Sequence, residues 1–420
     1  MAFSGGGDSL SVLLAVHAWS RRVGRQVVAL TVDHGLQPES RAWAAMAERT
    51  ALGMGLRSQT LAWTGRKPAS GLSAAARRAR HALLADAARQ IGAAVIVMGH
   101  TLDDLLEAEL MRAQGSTVGL PREWSPSPAW PEGRGVFLLR PLLALRRAEL
   151  REMLAASKLS WIDDPANDDP GSARARARLA IANGSRRHER PPAREPPPEI
   201  ARLASIAQTD SFGVIRIARD VLTGASPGAA RRFIAAACVC AGGGDRLPRT
   251  EQLERLWRRV VGDEAFTATL AGARVEATRT VHFMRNAGDL VSAAQAPVGL
   301  IRGRSQVWDG RFELIAAQDG QRAMPLQGKT RRLHASERAN LKRCPPWARP
   351  ALPIIEGPAI AGPIFAGNGE SVTCPILADG AQTPARSLAG QRLLSACGAV
   401  AWERSLETGS HGEPGQGVLS

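Results

Sequence analysis

The stretch FSGGGDSLSVLL (residues 3–14) places three consecutive glycines, an aspartate and a serine directly before apolar residues at helical spacing. Glycines in a run offer no side chain to bury, and they lose more conformational freedom on folding than other residues do. A phosphate is the usual reason for such a run, because bare backbone N–H groups and the N-terminus of a following helix bind anions. The stretch therefore predicts a phosphate-binding loop, Ser4 to Ser9, followed by a helix that opens at Asp8 and Ser9. A flexible glycine-rich leader is the alternative.

Strand-like and helix-like segments alternate after this loop. Apolar runs that end in polar residues predict buried strands, and runs with helical apolar spacing predict helices. Strands are expected at 27–35, 56–63 and 93–100, and helices at 40–53, 72–92 and 101–113. This alternation indicates an α/β fold with a doubly wound, mostly parallel sheet. Ligands bind such sheets beyond the C-terminal ends of the strands, where Asp33, His34, Gly99 and His100 are expected.

A proline-rich, charged segment marks the main boundary in the chain. The sequence SRRHERPPAREPPPE (185–199) predicts a linker, because it is unsuited to fold alone. It separates a first domain, 1–184, from a domain at 200–295 that is expected to be helical. The C-terminal region, 296–420, combines short strand-like pieces with many Gly and Pro, and is expected to be mixed or partly irregular.

The composition indicates a polyanionic partner. The chain has 420 residues with 54 Lys+Arg against 39 Asp+Glu, a net charge of +15, and nucleic acid is the simplest match for that charge. Codon bias in a GC-rich gene is the competing explanation, since nearly all the basic residues are Arg. The five cysteines are an odd number without a CxxC pair, which argues against a disulfide framework or a thiol zinc site. No apolar run approaches the roughly 20 residues of a membrane span and no signal peptide is evident, so a soluble, cytoplasmic protein is expected.

The loop has the form SGGxDS and resembles the signature of the PP-loop ATP pyrophosphatases, which cleave ATP between its α and β phosphates. Five further blocks come in the order expected of the tRNA(Ile)-lysidine synthetase family: TVDHGL (31–36), ARRARH (76–81), GHTLDDLLEAELMR (99–112), LRPLLALRRAEL (139–150) and WIDDPANDD (161–169). The resemblance is close over residues 3–180 and loose over 200–290. It implies a ligase that attaches L-lysine to the wobble cytidine of a tRNA(Ile) with a CAU anticodon. The cytidine O2 would attack the α-phosphorus of ATP and displace pyrophosphate, and the lysine ε-amine would then displace AMP.

The resemblance also implies which residues form the site. ATP would be bound by Ser4, Gly5, Gly6, Gly7, Asp8, Ser9, Asp33, His34, Gly99 and His100. Mg²⁺ would assist the departure of the multiply charged pyrophosphate, with Asp8 and Asp104 as its ligands; a helix cap is the competing role for Asp8.

Carboxylates on the third predicted helix are candidates for the lysine site. Asp103 and Glu107 stand at i and i+4 and so share a helix face, and they are proposed as catalytic. They are candidates for holding the lysine ammonium and accepting its proton. The alternative is a capping box of Thr101 with Asp104 and a general preference of acids for a helix N-terminus.

Arginines supply the remaining candidates. Arg80 and Arg112 are proposed to steady phosphates in the catalytic site. Arg174, Arg176 and Arg178 alternate along ARARARLA (173–180) and are proposed, with Arg140, to follow the tRNA backbone. The helical domain at 200–295 is expected to bind tRNA as well, and a homodimer is a further expectation that the sequence does not decide. Asp163, Asp164 and Asn167 are expected either to bind substrate or to form a turn.

Three features depart from the family pattern. Only Met1, Ala2 and Phe3 precede the loop, whereas a central strand needs about five residues, so the coding sequence is expected to start further upstream. Gln114 stands where an arginine is expected, and a DRNxxR element is replaced by Ala173 to Arg176.

Other functions remain open from sequence alone. A PP-loop tRNA thiolase is the nearest, although such enzymes use paired cysteines and residues 1–237 contain none. GMP and asparagine synthetases would need an amidotransferase module, and none is evident. A basic RNA-binding protein with a decayed nucleotide site is the alternative from another class.

Overall fold

The computed structural model describes residues 1–116, 118–163, 171–182, 198–292, 297–357, 371–377 and 385–398. The chain forms two compact units, Met1–Arg194 and Glu195–Ser420. The predicted linker, 185–199, lies almost wholly outside the described residues, and the predicted domain limits stay predictions. Within the described ranges, no helix is both long enough and apolar enough to cross a membrane.

The first unit alternates helices and strands as the sequence predicts. Its elements are α1 (Gly7–Val23), β1 (Val28–Asp33), α2 (Ser40–Gly53), β2 (Arg57–Ala62), α3 (Leu72–Gln90), β3 (Val95–Val97), α4 (Leu102–Ala113), β4 (Trp124–Pro126), β5 (Phe137–Leu139), α5 (Arg147–Ala156) and α6 (Ala173–Ala182). Strands β1 and β2 are parallel, β3 and β5 are parallel, and β4 is antiparallel to β5. The expected α/β fold with a mostly parallel sheet is therefore confirmed.

The first three residues join β1 to β3 in the sheet. Ala2 N donates to Val97 O at 2.9 Å, and Phe3 N donates to Leu30 O at 2.8 Å. Leu30 N in turn donates to Met1 O at 2.8 Å. This short segment holds the central position that was expected to need a longer strand, and it delivers the glycine loop to the edge of the sheet.

Each face of this sheet has its own apolar cluster. Consecutive residues of β1 point to opposite faces, so Ala29 packs with Phe3 and Leu13 while Leu30 packs with Leu84 and Ile96. Helices α1, α2 and α5 contribute to the first cluster and α3 to the second. Helices on both faces are the defining feature of a doubly wound sheet.

The second unit contains helices and antiparallel sheets. Its elements are α7 (Pro198–Ile206), β6 (Gln208–Thr209), β7 (Ile215–Ala218), α8 (Arg219–Thr223), α9 (Pro227–Gly242), α10 (Thr250–Val261), β8 (Phe266–Leu270), β9 (Ala273–Ala277), β10 (Thr280–Arg285), α11 (Ala287–Ser292), β11 (Val298–Gly299), β12 (Ser305–Trp308), β13 (Phe312–Ile315), β14 (Arg322–Pro325), α12 (Ala335–Leu341), β15 (Pro353–Gly357), β16 (Ser371–Thr373), β17 (Ala385–Ser387) and α13 (Ala389–Ala396). Helix α9 is buried along most of its length and packs against α7, α13 and the sheet beside it.

The expectation of a helical region at 200–295 needs correction. Helices α9 and α10 are present where predicted, but five strands from before and after them form an antiparallel sheet in the order β6-β7-β10-β9-β8. The strands escape a helix-period search because they are two to six residues long. Ala271 and Gly272, both with positive φ (50° and 79°), form the tight turn that pairs β8 with β9.

Side chains at the centre of the first sheet are buried, so we expect shortening one of them to destabilise the sheet strongly. Leu30 is 2% exposed, so we expect Leu30→Ala to lower the opening free energy of β1 amides by about 2–5 kcal/mol, measured by hydrogen exchange. Leu52→Ala on α2 is the matched control, because Leu52 is 55% exposed; its effect should stay below about 0.5 kcal/mol. Equal effects of the two substitutions would contradict this packing.

Candidate functional site

The glycine loop runs from Phe3 into the first turn of α1. Gly5 has φ +82°, and its carbonyl accepts a hydrogen bond from Ile162 N at 3.0 Å. The Ser9 hydroxyl donates to Gly6 O at 2.8 Å, and Ser4 N donates to Ser9 Oγ at 3.3 Å. These bonds fold the loop back on itself, while α1 begins at Gly7 with Gly6 as its N-cap. Helix N-termini leave backbone N–H groups unpaired, which is the arrangement that binds anions.

A pocket opens where the loop meets the C-terminal ends of β1 and β3. Eight of the ten residues proposed for ATP line it: Ser4, Gly6, Gly7, Asp8, Ser9, His34, Gly99 and His100. Gly5 and Asp33 are outside its lining. Asp33 instead accepts a hydrogen bond from Gly35 N at 2.9 Å, so its role is in the turn after β1.

Gly99 lets β3 approach the loop closely. A Cβ at this position would lie 2.8 Å from Asp8 O and 2.9 Å from Ser9 Cα. Both neighbours are backbone atoms, so no side-chain rotation could relieve the contact. The end of β3 therefore fixes the position of the first turn of α1.

Four carboxylates gather at this edge, and we call Asp8, Asp103, Asp104 and Glu107 the acidic cluster. One residue, Arg147 at the start of α5, contacts all four. Its Nε donates to Asp8 Oδ2 at 2.9 Å, its Nη1 to Glu107 Oε1 at 3.1 Å, its Nη2 to Asp104 Oδ1 at 3.3 Å, and its backbone N–H to Asp103 Oδ2 at 2.7 Å.

The capping alternative for the acids of α4 is partly correct. Asp104 Oδ2 accepts from Thr101 N at 2.7 Å and from the Thr101 hydroxyl at 3.1 Å, as in a capping box. Asp8 does not cap α1, since Gly6 is the N-cap. Burial raises the pKa of the Asp8 carboxyl, and the charge and hydrogen bond of Arg147 oppose that rise.

Glu107 is enclosed by arginines. Its side chain is 1% exposed and accepts from Arg174 Nε at 2.7 Å and Arg178 Nε at 3.0 Å, in addition to Arg147. It is not part of the pocket lining. The proposal that Glu107 acts directly on a substrate stays a prediction; in the structure its carboxylate binds the arginines around it.

The arginines of residues 173–180 are arranged differently from the sequence expectation. They were proposed to follow the tRNA backbone, and they lie on helix α6. Arg174 and Arg178, at i and i+4, share a face and donate to Glu107, and Arg174 also donates to Asp104. Arg176 is exposed and donates to Gly171 O at 3.0 Å. Two of the four residues proposed for tRNA, Arg174 and Arg178, thus line the pocket.

Arg80 carries positive charge into the pocket. Its Nε is buried and has no hydrogen-bond partner among the described residues. Burial, together with the charges of Arg77 and Arg174, lowers its pKa to about 10. A guanidinium so placed is stabilised by an anionic ligand.

His100 and Arg140 form a hydrogen-bonded pair, in which Arg140 is buried and His100 is half-buried. Arg140 Nε donates to His100 Nδ1 at 3.3 Å, while Arg140 Nη1 donates to Arg122 O at 2.7 Å and Ser125 Oγ at 3.0 Å. Burial and the charge of Arg140 lower the pKa of His100 well below its usual value, so this imidazole is neutral near pH 7. Arg140 is 5% exposed, and its proposed contact with the tRNA backbone stays a prediction.

The remaining predicted residues lie apart from the pocket or at its rim. Arg112 is exposed in the last turn of α4, outside the pocket lining, which does not support a catalytic role. Gln114, the first residue after α4, is also exposed. Asp163 is at the rim and pairs with Arg151 at 3.2 Å, whereas Asp164 and Asn167 lie outside the described residues.

Arg147 is the main residue that sequence reasoning missed. It lies inside the quoted block 139–150, but one arginine in an arginine-rich chain gives no signal of its own. The spatial signal would have been the number of acids requiring a cation: four carboxylates grouped at one sheet edge need nearby positive charge.

The chain is similar to known proteins along most of its length. A model of the PP-loop domain matches residues 1–184. The tRNA(Ile)-lysidine synthase of Caulobacter vibrioides is 47% identical over 355 residues, which cover 84% of this chain and 83% of that protein. That of Hyphomonas neptunium is 38% identical over 67% of this chain and 79% of that protein, and that of Brucella anthropi is 35% identical over 75% and 73%.

The close approach at Gly99 predicts that Gly99→Ala weakens ATP binding. The added methyl group must displace the backbone of Asp8 and Ser9, so we expect the Kd for ATP to rise at least about tenfold, which corresponds to about 1.4 kcal/mol. Isothermal titration calorimetry measures it. Gly53→Ala, where no atom lies within 4 Å of the new Cβ, is the control and should leave the Kd unchanged. Unchanged affinity in Gly99→Ala would show that the loop does not depend on this contact.

His81, in the block ARRARH, predicts a pH dependence of stability. Burial, then the charges of Arg80 and Arg77, lower its pKa to about 2, whereas an unfolded histidine titrates near 6.5. Below about pH 6.5 the unfolded chain therefore binds a proton that the folded chain does not. The free energy of unfolding should fall with decreasing pH by up to about 1.4 kcal/mol per pH unit from this residue. Urea unfolding of His81→Leu between pH 5 and 7.5 should give a shallower slope, and an unaltered slope would refute this account. His17→Leu is the control.

Proposed function

The chain belongs to the tRNA(Ile)-lysidine synthase family, and from that membership we propose that it ligates lysine to the wobble cytidine of a tRNA(Ile) with a CAU anticodon, in two steps at the pocket of the first unit. The observation that carries the proposal is a resemblance to such enzymes along 84% of the chain. The glycine loop, ending in a helix N-terminus at the pocket, supports ATP as the energy source.

The first step adenylates the cytidine. Its O2 forms a bond to the α-phosphorus of ATP, and the bond from that phosphorus to the bridging oxygen of pyrophosphate breaks. Charge that develops on the departing pyrophosphate is stabilised by fixed donors, which the backbone of Gly6 and Gly7 and the hydroxyl groups of Ser4 and Ser9 would provide. Arg80, with its unpaired Nε, is placed to bind a phosphate oxygen.

The second step transfers lysine. The ε-amine forms a bond to C2 of the cytidine, AMP departs, and the amine loses a proton. Because its pKa in water is near 10.4, deprotonation at pH 7 costs about 4.6 kcal/mol unless an acceptor is present. Asp104 lines the pocket and Asp103 is at the start of the same helix, so these two acids are the better candidates for holding the ammonium group.

Mg²⁺ is a further part of the proposal. Among the described residues no group of three or more His, Cys, Asp or Glu could hold a metal ion, and Asp8 and Asp104 both accept hydrogen bonds from Arg147. These residues therefore do not form a ready-made metal cage. Mg²⁺ commonly binds through substrate phosphates and one or two carboxylates, which is compatible with entry as Mg·ATP beside Asp8. When bound, it would neutralise charge on the pyrophosphate.

The proposed tRNA contacts are supported by the positive charge of the chain. The net charge of +15 favours an RNA partner, and exposed Arg176 on α6 remains a candidate for its backbone. The region 200–295 remains the proposed tRNA-binding domain. A cytoplasmic location suits this substrate, and a homodimer remains a proposal.

Lysine transfer tests the proposed function directly. With ATP, Mg²⁺ and radiolabelled lysine, label should enter a tRNA(Ile) transcript with the CAU anticodon, and pyrophosphate should be released in equal amount. A transcript with U at the wobble position is the control and should accept no label, because the altered base is not the cytidine that the reaction requires. RNA binding without label or pyrophosphate would support the decayed RNA-binding protein instead.

A further inference from the structure

Arg147 joins three segments that are distant in sequence. Its side chain reaches Asp8 in the first turn of α1 and two acids of α4, and its own backbone N–H holds Asp103 from the N-terminus of α5. The side chain is 14% exposed. Burial by itself lowers the pKa of Arg147. The surrounding carboxylates outweigh this effect and raise the pKa above the ordinary arginine value.

A guanidinium is suited to this task because it is planar and presents its N–H donors in fixed directions. Three carboxylates that bind one such group must lie at set distances from one another. Arg174 and Arg178 also donate to acids of α4, but they belong to α6, which follows residues 164–170 in the chain. Arg147 adds the link to Asp8, and therefore to the glycine loop.

The charge balance leads to the same conclusion. Asp8, Asp104 and Glu107 all lie within hydrogen-bond distance of one cation, so removal of that cation leaves negative charges that repel across a partly buried space. We expect the acids to move apart in response. A displacement of about 1 Å in a catalytic site can reduce the rate by about 100-fold.

We propose that Arg147 is a positioning residue, which sets the separation between the glycine loop and the acids of α4 without itself reacting. The kinetic part of this inference rests on the proposed function, because it is measured as the rate of lysine transfer. It predicts that loss of Arg147 lowers kcat for lysine transfer far more than it raises KM for ATP, because the backbone donors of the loop remain.

The test is Arg147→Ala with chemical rescue. We expect kcat to fall at least about 100-fold while KM for ATP changes less than about threefold. Guanidinium ion at low millimolar concentration should restore at least tenfold of the lost rate, since it can occupy the vacated position. Arg22→Ala, at an exposed residue in the last turn of α1, is the control; it should keep parental activity and show no rescue. A folded Arg147→Ala protein with parental kcat, or one that guanidinium does not rescue, overturns the proposal.

Arg147→Lys covers the case in which the alanine variant does not fold. Lysine keeps the charge but presents a compact ammonium that cannot bridge three carboxylates in fixed directions. We expect it to fold and to have a kcat at least tenfold below that of the parent. Parental kcat in Arg147→Lys overturns the positioning role.

Failure of the inference and failure of the proposed function can be told apart. If the parent transfers no lysine, the proposed function is wrong, and the positioning role is then decided by hydrogen exchange. Loss of Arg147 should accelerate exchange in peptides covering both residues 4–12 and 101–113, whereas Arg22→Ala should not. Unchanged exchange in these peptides would overturn the proposal without reference to activity.

Discussion

Mutual compensation between acids and arginines is the constraint on which the pocket depends. Four carboxylates meet at the edge of the sheet, and Arg146, Arg147, Arg174 and Arg178 donate to them. Glu107 is the extreme case, because a carboxylate at 1% exposure is strongly unfavourable without partners. Ion pairs and hydrogen bonds therefore join α6 and the start of α5 to α4. Loss of Arg147 would remove the arginine that pairs with Asp8, whereas Glu107 would keep Arg174 and Arg178.

The same balance divides the pocket into two regions of different character. Around Arg147 the acids and arginines neutralise one another, so that region is polar with little net charge. Around Arg80 positive charges accumulate instead: burial, and then the neighbouring charges of Arg77 and Arg174, lower the pKa of this guanidinium. Phosphate groups are therefore expected to bind between Arg80 and the N-terminus of α1. An amine is expected to favour the acids of α4. The anionic phosphates of ATP and the cationic amine of lysine are therefore each matched by one region of the pocket.

The sequence was informative wherever a local pattern decided the structure. The alternation of apolar runs predicted the strands and helices of the first unit, and SGGGDS predicted the loop that lines the pocket. Three features could not be predicted from the sequence. The sheet at 208–285 consists of strands too short for a periodic signal. The arginines of α6 alternate in sequence, yet they pair with Glu107 because a helix brings i and i+4 together. Arg147 could be recognised only by its distance to four acids, which depends on the packing of α5 against α1 and on the bond from the start of α5 to Asp103.

The glycine loop shows why a correct motif still leaves its geometry undetermined. Its glycines permit many conformations, and contacts from distant parts of the chain select one. Gly99, at the end of β3, limits how far the first turn of α1 can move, and Ile162 binds the carbonyl of Gly5. Asp8 belongs to this loop and also to the acidic cluster, so a shift of the loop must pass through Arg147 to the acids of α4. The glycine loop and the acids of α4 are therefore connected through Asp8 and Arg147, a link that neither the glycine run nor the acidic helix carries in its own sequence.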